Sequence, residues 1–242
     1  MNRLRATRAW RSAFRRGPAR TNLTRSLAIF GNVFLHLLPV KVRQQSLRVR
    51  ATYYLGSISF FLLVVLTLTG VLLMFYYHPA VPQAYLDMKD LRFVVSNGVF
   101  LRNLHRVAAH IMVIAVFWHM FHVFYRGGYR PPHEFNWAIG VVLLLLTLFL
   151  SYTGYLLPWD QLAFWAITVG TNILASAPLA GPQLRYVLLG GNLVGENALL
   201  RFYVLHCVIL PLLAFLFVAV HFWRIQKDGG LTVGEGDERD KQ

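Results

Sequence analysis

Histidine is the residue type whose spacing in this sequence most clearly indicates chemistry. Four of the nine histidines form two pairs within apolar stretches, His105 with His119 and His206 with His221. The partners are 14 residues apart in the first pair and 15 in the second. Because 14 residues of α-helix rise about 21 Å over nearly a whole number of turns, each pair is expected on one helix face at two depths. Pro211 lies within the longer interval and can absorb its extra residue through a local kink.

Two imidazoles that face each other across a helix bundle form a bis-histidine axial site for haem iron. If both stretches run from outside to inside, His105 and His206 meet near the outer face (the outer pair), and His119 and His221 near the inner face (the inner pair). The alternative is that all four are buried polar side chains bonded to neighbouring helices. The agreement of two pairs in depth and direction favours two stacked haems. The other histidines are interpreted as non-ligands: His36, His78, His110, His122 and His133.

Four apolar stretches could carry these pairs through a bilayer, which needs about 20 residues per helix. Named spans one to four, they are predicted at Tyr53–Tyr76, Leu104–Tyr125, Trp137–Leu157 and Leu199–Trp223. Hydrophobic residues make up 56% of the 242-residue chain and charged residues 14%, with a mean hydropathy of +0.48. This composition excludes a disordered chain and argues against a soluble enzyme. We therefore expect an all-α membrane protein whose four transmembrane helices form a bundle holding two stacked haems, preceded by an amphipathic surface helix.

The charge of the chain is strongly positive, with 24 Lys and Arg against 10 Asp and Glu. In so apolar a chain this favours anionic lipid as a partner over nucleic acid. Basic residues beside the spans predict that both termini and the short connection between spans two and three are cytoplasmic. The expected location is a prokaryotic-type inner membrane. The long connections, 78–103 and 158–198, are then outside. The single cysteine, Cys207, excludes an internal disulfide, a cysteine-based zinc site and an iron–sulfur cluster held by this chain alone.

The sequence predicts four segments along the chain. They are a basic cytoplasmic arm at 1–26, an amphipathic surface helix and linker at 27–50, the four-helix dihaem domain at 51–230 and a polar tail at 231–242. Twelve basic residues and no acidic residue lie in the first 50 positions, so the arm is interpreted as lying on anionic lipid or docking on a partner. A transit peptide is the alternative, because such peptides are also rich in arginine and poor in acidic residues.

Glycines repeat the histidine spacing in the other two spans. Gly56 and Gly70 in span one are 14 residues apart, and so are Gly140 and Gly154 in span three. Glycine leaves room for a flat macrocycle beside a helix backbone, so all four are predicted to line the haems. Small-residue helix packing is the alternative. Cations that could pair with haem propionates are Arg102 and Arg106 on the outer side and Arg126, Arg130, Arg224 and Lys227 on the inner side.

An aromatic motif follows span three. It reads Gly154-Tyr155-Leu156-Leu157-Pro158-Trp159-Asp160-Gln161, and a helical pattern over Ala166–Leu174 comes after it. An aromatic, amphipathic element beside the outer haem would suit a flat hydrophobic ring such as a quinone. An interfacial anchor helix is the alternative. The candidate quinol-site residues are Tyr155, Pro158, Trp159, Asp160, Phe164 and Trp165.

Taken together, these segments resemble the cytochrome b/b6 family from about Leu35 to Gly230. The resemblance is carried by His105-Arg106 through His119, by the motif from Gly154 to Trp165, and by Arg201-Phe202-Tyr203 through His206, Pro211 and His221. The 15-residue spacing and the stop after four spans resemble the short, split b6-type subunit, whose remaining helices are on a separate protein.

This resemblance implies a subunit with two non-covalent b haems in a quinol-oxidising complex. The outer pair would bind the low-potential haem, with Arg102 near its propionates, and the inner pair would bind the second haem. One electron from quinol would pass to a Rieske centre and the other through the b haems to a quinone at the inner face, which contributes to the proton-motive force. The implied partners are a C-terminal cytochrome b subunit like subunit IV, a Rieske iron–sulfur protein and a c-type cytochrome, in a dimeric complex.

Three departures from the family pattern change what is expected. Tyr54 stands where the b6 pattern has a cysteine that tethers a third haem, so no covalent haem is expected. His122 stands three residues past the inner ligand, where the family usually has arginine, so the resemblance does not assign the inner propionate contact. The acidic quinol-site motif belongs to the C-terminal half of the family, so this chain cannot form a complete quinol-oxidation site alone.

Two other functions stay open at this point. A dihaem membrane anchor could pass electrons linearly from quinol to a non-Rieske partner, although the motif after span three and the parallel spacing argue against that family. A transporter or lipid-binding subunit without haem would give a colourless protein.

Overall fold

The computed structural model describes residues 21–22 and 53–228, and every regular element in that part of the chain is helical. Four helices have the length and apolarity of membrane spans: Leu55–Met74, Gly98–Tyr125, Glu134–Leu156 and Glu196–Lys227. They correspond to the four predicted spans, so the all-α membrane fold is confirmed. Spans two and four begin earlier than predicted, at Gly98 and Glu196, because a helix can extend beyond the hydrocarbon layer into the polar interface.

The spans turn most of their apolar side chains outward. Only 6% to 22% of the most apolar window of each span is buried inside the protein. In span one, for example, Phe61 is 64% exposed and Leu68 is 62% exposed. Contiguous apolar surface of this extent is unsuited to water and suits lipid. The chain is therefore an integral membrane protein.

Span four is interrupted by a wider turn. It consists of the α-helix Glu196–Val204, the π turn Leu205–Ile209 and the α-helix Leu210–Lys227. The N–H of Leu210 bonds to the carbonyl of Leu205, five residues back, so this turn holds one residue more than an α turn. Pro211 has no N–H to continue a regular helical ladder at this point. The extra residue of the 15-residue interval thus lies in a π turn that ends before Pro211, and not in a kink at the proline.

Three shorter helices lie in the two long connections: Gln83–Phe93, Gln161–Ala175 and Gly181–Leu189. The second contains the predicted helical stretch Ala166–Leu174. Asp160 is the N-cap of this helix, and its carboxylate accepts a 2.9 Å hydrogen bond from the N–H of Ala163. The sequence predicts only connecting segments at the other two, which are 11 and 9 residues long. The last of them ends at Gly190, which has a left-handed φ of 70°.

The described residues fall into two compact units. Residues 53–58, 115–145 and 214–228 belong to the first, which contains the inner pair, and we call it the inner unit. Residues 59–114 and 146–213 form the second, the outer unit, which contains the outer pair. The outer unit has an apolar core of Leu156, Ile167, Leu189, Ala198 and Phe202. The predicted basic arm at 1–26, surface helix and linker at 27–50 and tail at 231–242 lie outside the described residues, apart from 21 and 22.

Candidate functional site

The outer pair comes together within the outer unit. The ring centres of His105 and His206 are 6.3 Å apart, and the ring planes are at 77° to each other. His105 lies on span two, and His206 lies in the π turn of span four. Spans two and four therefore present the two imidazoles to each other, as their positions in the sequence predict.

The inner pair repeats this geometry within the inner unit. The ring centres of His119 and His221 are 6.4 Å apart, with an angle of 85° between the ring planes. The two pairs therefore have nearly the same separation and the same near-perpendicular arrangement.

This separation fits one metal ion held between two imidazoles. A metal–imidazole bond is about 2 Å, and the ring centre lies about 1 Å beyond the nitrogen, so two axial rings should be about 6 Å apart. In the described part of the chain, no group of three or more His, Cys, Asp or Glu side chains could hold a metal ion. A metal at either pair would therefore need its remaining ligands from another molecule, as a porphyrin supplies. The residues present fit a bis-histidine haem.

The surroundings of Nδ1 differ between the pairs. In the outer pair, Nδ1 of His105 is 2.8 Å from the hydroxyl of Thr69, and Nδ1 of His206 is 3.2 Å from the hydroxyl of Thr153. In the inner pair, Nδ1 of His119 is buried without a hydrogen bond to any residue that the structure describes, and the group near the ring of His221 is the backbone carbonyl of Asn136. A ring that donates from Nδ1 leaves the lone pair of Nε2 available to a metal.

The four predicted glycines each lie against one of these imidazoles. A Cβ atom on Gly70 would be 3.3 Å from Cε1 of His105, and one on Gly154 would be 2.5 Å from Cε1 of His206. In the inner unit, a Cβ atom on Gly56 would be 3.3 Å from Cε1 of His119. At Gly140 it would be 3.2 Å from the Met120 methyl group and 4.0 Å from Cε1 of His221. The absence of a side chain at these glycines thus leaves space for the imidazole rings, and the closest approach is at Gly154.

The candidate cations differ in burial. In the outer unit Arg102 is half-buried and Arg106 is exposed. In the inner unit Arg126 is half-buried and Arg130 is exposed, with its guanidinium 5.6 Å from the centre of the Tyr129 ring.

Arg224 is the inner-side cation that the structure buries completely, at 0% exposure. It lies three residues past His221 on span four. Its guanidinium is 3.0 Å from the carboxylate of Asp228 and 4.9 Å from the centre of the Phe135 ring. A buried guanidinium on the turn after a candidate ligand is well placed to pair with an anionic group there.

The candidate quinol-site residues fall into three settings. Trp159, Phe164 and Trp165 form an edge-to-face series, with ring centres 6.5 Å and 5.8 Å apart. Asp160 caps the following helix. Tyr155 is 55% exposed, Trp165 is 59% exposed, and Pro158 is half-buried. The structure therefore brings the aromatic rings together and gives Asp160 a local structural role.

Tyr77, which follows span one, contacts the middle of this motif. Its hydroxyl donates a 2.8 Å hydrogen bond to the carbonyl of Leu157, and its ring stacks on Tyr203 with 5.4 Å between centres. Burial raises the pKa of Tyr77, with smaller contributions from Cys207, Tyr203 and Asp87, so the phenol stays protonated and remains a donor.

The remaining histidines have other surroundings. His110 is exposed, and His78 bonds to Asp87 in the first outer connection. His122 makes an edge-to-face contact with Tyr53, with 5.3 Å between ring centres. It lines a shallow, open surface pocket of about 370 Å³ together with Tyr53, Leu55, Trp118, Phe121 and Tyr125. His36 lies outside the described residues.

Sequence reasoning missed the two threonines of the outer pair. A signal for them exists, because both glycines against the outer rings follow a threonine, as Thr69-Gly70 and Thr153-Gly154. The glycines of the inner unit follow Leu55 and Ile139 instead. Met120 was also missed, and nothing in its spacing distinguishes it from other apolar residues of span two.

Solved structures include one of similar fold. A chain of a structure described as Hyperthermophilic respiratory Complex III superposes with a TM-score of 0.68 and 24% sequence identity. The superposition covers 85% of this chain and 53% of that chain, so this protein spans about half the length of that one. The similarity supports the fold.

Sequence comparisons identify the family. The family model described as Cytochrome b/b6/petB matches residues 40–229. Cytochrome b6 of Tupiella akineta is 39% identical over 177 residues, which are 73% of this chain and 82% of that protein. Cytochrome b6 of Heliomicrobium gestii is 38% identical over 73% of this chain and 83% of its own. The chain belongs to the cytochrome b/b6 family.

Proposed function

We propose that this chain carries electrons across the membrane through two bis-histidine b haems. It would do so as the cytochrome b6-like subunit of a quinol:acceptor oxidoreductase that contributes to the proton-motive force. The observation that carries the proposal is the geometry of the two pairs, with ring centres 6.3 Å and 6.4 Å apart in nearly perpendicular planes. Membership of the cytochrome b/b6 family supports haem as the group between them.

When bound, haem supplies one-electron redox chemistry at its iron. His105 and His206 would hold one haem through Nε2, and His119 and His221 would hold the other. The glycines opposite these rings keep side chains out of the space beside them. Arg102 and Arg106 would neutralise propionates of the outer haem, and Arg224, with Arg126 and Arg130, those of the inner haem. The apolar spans exclude water and ions between the two faces.

We assign one wall of a quinol-binding site to the motif after span three. Support comes from the edge-to-face series of Trp159, Phe164 and Trp165, which offers flat apolar surface to a ring. Tyr155 and Pro158 lie beside it, and Asp160 holds the start of the helix that carries Phe164 and Trp165. Quinol or quinone is the proposed substrate of the assembled complex.

The proposed partners are a C-terminal cytochrome b subunit, a Rieske iron–sulfur protein and a c-type cytochrome, in a dimer. Support for the b6 type comes from relatives named cytochrome b6, which match over more than four-fifths of their own length. The proposed location is a prokaryotic-type inner membrane with both termini in the cytoplasm, supported by the basic residues near those ends.

Single ligand replacements test the assignment of the haems. In His105→Ala or His206→Ala we expect loss of one of two b-type absorbance bands in reduced-minus-oxidised spectra of the isolated complex. The other band should persist. His221→Ala is the matched variant and should remove the other band. His110→Ala, at an exposed histidine of the same span as His105, should leave both. Retention of both bands in His105→Ala would contradict the proposal.

The partners are tested by low-temperature EPR of the reduced native complex, isolated through this chain. We expect a Rieske signal in a preparation that also contains b haem. Haem without a Rieske signal would contradict bifurcated quinol oxidation and favour the linear dihaem anchor. A preparation without haem would refute both and favour a transporter or lipid-binding subunit.

A further inference from the structure

Two threonine hydroxyls lie against the outer pair and have no counterpart at the inner pair. Thr69 Oγ1 is 2.8 Å from Nδ1 of His105, and Thr153 Oγ1 is 3.2 Å from Nδ1 of His206. Both threonines are nearly inaccessible, with exposures of 5% and 4%. Because water does not reach these buried hydroxyls, it does not compete for their hydrogen bonds to the histidine rings.

The direction of each hydrogen bond follows from the other bonds of the hydroxyl. Thr69 lies 2.7 Å from the carbonyl oxygen of Val65, and Thr153 lies 2.8 Å from that of Phe149, each one turn back. A hydroxyl has one proton, and carbonyls can only accept. Each hydroxyl therefore donates to its helix, and its oxygen accepts a hydrogen bond from Nδ1–H of the histidine. The threonines thus fix the tautomer with the free lone pair on Nε2.

The inner pair provides an internal comparison. The residues in the corresponding positions, directly before Gly56 and Gly140, are Leu55 and Ile139, which have no hydroxyl. Among the described residues, Nδ1 of His119 and Nδ1 of His221 have no hydroxyl partner, and the group near the ring of His221 is the backbone carbonyl of Asn136. Separation and ring angle are nearly the same in the two pairs, so the threonine hydroxyls at Nδ1 distinguish the outer pair from the inner pair.

We infer that Thr69 and Thr153 are positioning residues whose hydroxyls lower the reduction potential of the outer haem. The inference rests on the proposed haem ligation. A hydrogen bond donated by Nδ1–H increases the negative charge on the ring and makes Nε2 a stronger electron donor. A stronger axial donor stabilises ferric iron over ferrous iron, which lowers the potential. Two hydroxyl acceptors act on the ligands of the outer haem, and no hydroxyl acts on those of the inner haem.

The test is a potentiometric titration of both b-type absorbance bands in the isolated complex. In Thr69→Val and Thr153→Val, we expect the equilibrium constant for reduction of the outer haem to rise several-fold, where tenfold corresponds to about 59 mV. The inner haem should not change. Thr69→Ser, which restores the hydroxyl, should titrate like the wild type.

Thr67→Val is the matched control. Thr67 lies two residues before Thr69 in the same span, and its hydroxyl donates a 2.8 Å hydrogen bond to the carbonyl of Leu63. It should leave both potentials unchanged. If the reduction potential of the outer haem is the same in Thr69→Val and Thr153→Val as in Thr67→Val, the inference is overturned and the proposed ligation stands. Retention of both haems in His105→Ala would overturn the ligation itself.

If the valine variants lose the outer haem, adding a hydroxyl at the inner pair tests the same effect. Ile139→Thr places a hydroxyl directly before Gly140, the register that Thr153 occupies before Gly154. We expect it to lower the reduction potential of the inner haem, so that the equilibrium constant for its reduction falls several-fold. Ile139→Val should leave that potential unchanged. An unchanged inner potential in Ile139→Thr would then count against the inference.

Discussion

At the residue scale, the four glycines differ in how much room they leave beside the histidines. A methyl group on Gly154 would lie 2.5 Å from Cε1 of His206, closer than two carbon atoms can approach. In Gly154→Ala we expect the ring to be displaced, at a cost of about 1–3 kcal/mol, and the outer haem to be lost or weakened. Haem content and the two absorbance bands of the isolated complex measure this effect.

Gly140→Ala is the matched variant, because its nearest neighbour is the end of a flexible side chain. The added methyl group would lie 3.2 Å from the Met120 methyl group, which can move, and 4.0 Å from Cε1 of His221. We expect both haems to be retained. Equal effects of the two alanine substitutions would contradict the close approach at Gly154.

The residue-scale features differ in how well the sequence predicts them. Spacing along spans two and four is enough to predict that the histidines meet in two pairs. The burial of Arg224 and the hydroxyls of Thr69 and Thr153 depend on which side chains neighbouring helices bring together. Arg224 is among the predicted cations, but spacing along one helix does not predict its burial. The Thr-Gly pairs indicate the two threonines only once the structure shows which side chains face the outer rings.

At the element scale, one buried carboxylate stabilises the connection between spans one and two. Asp87 accepts hydrogen bonds of 2.7 Å from the N–H of His78, 3.0 Å from its ring and 2.7 Å from Gln83. Burial raises the pKa of Asp87, but the hydrogen bonds from Gln83 and His78 outweigh it and hold the pKa below its ordinary value of 3.8. The ionised form therefore stabilises the folded connection.

The sign of the pH dependence follows from that lowered pKa. The stabilisation is fully present above the ordinary pKa and is lost as the pH falls through the lower value of the folded state. In Asp87→Asn we expect the helix Gln83–Phe93 to lose about 1–3 kcal/mol of protection against hydrogen exchange at neutral pH, with no further acid-dependent loss. Asp90→Asn, at an exposed position of the same helix, should behave like the wild type. A wild-type acid response in Asp87→Asn would contradict this role.

The second prediction at this scale concerns the π turn of span four. A π turn holds one extra residue, so deleting Val208 from Leu205–Ile209 should convert it to an α turn and leave the following helix in place. We expect the inner haem to be retained. Deleting Leu216 from the regular helix that follows should rotate His221 by about 100° and abolish the inner haem. The absorbance bands distinguish the two deletions, and loss of the inner haem in both would contradict the account.

The sequence predicts the long elements better than the short ones. The spans are predicted because about 20 apolar residues in succession leave few alternatives to a membrane helix. The helices Gln83–Phe93 and Gly181–Leu189 are short, and they are stabilised by contacts with other segments. Pro211 signals an irregularity, but proline alone does not distinguish a kink from a π turn.

At the scale of the whole molecule, composition predicts that the protein lies in a membrane, but it does not predict which other subunits it binds. The outward apolar surface confirms that the protein is integral to the membrane. The fold is shared with a chain of which this protein spans about half the length. The proposed partners and the proposed quinol oxidation come from the family resemblance and the motif after span three, and not from composition.

The measurement that tests the central claim most directly is low-temperature EPR of the oxidised complex, in the wild type and in His105→Ala. Perpendicular axial imidazoles leave two iron d orbitals nearly equal in energy, which makes the low-spin ferric signal strongly anisotropic. Ring angles of 77° and 85° therefore lead us to expect two such signals, of which His105→Ala removes one. A single low-spin signal in the wild type, or two unchanged signals in His105→Ala, would contradict two bis-histidine haems at these pairs.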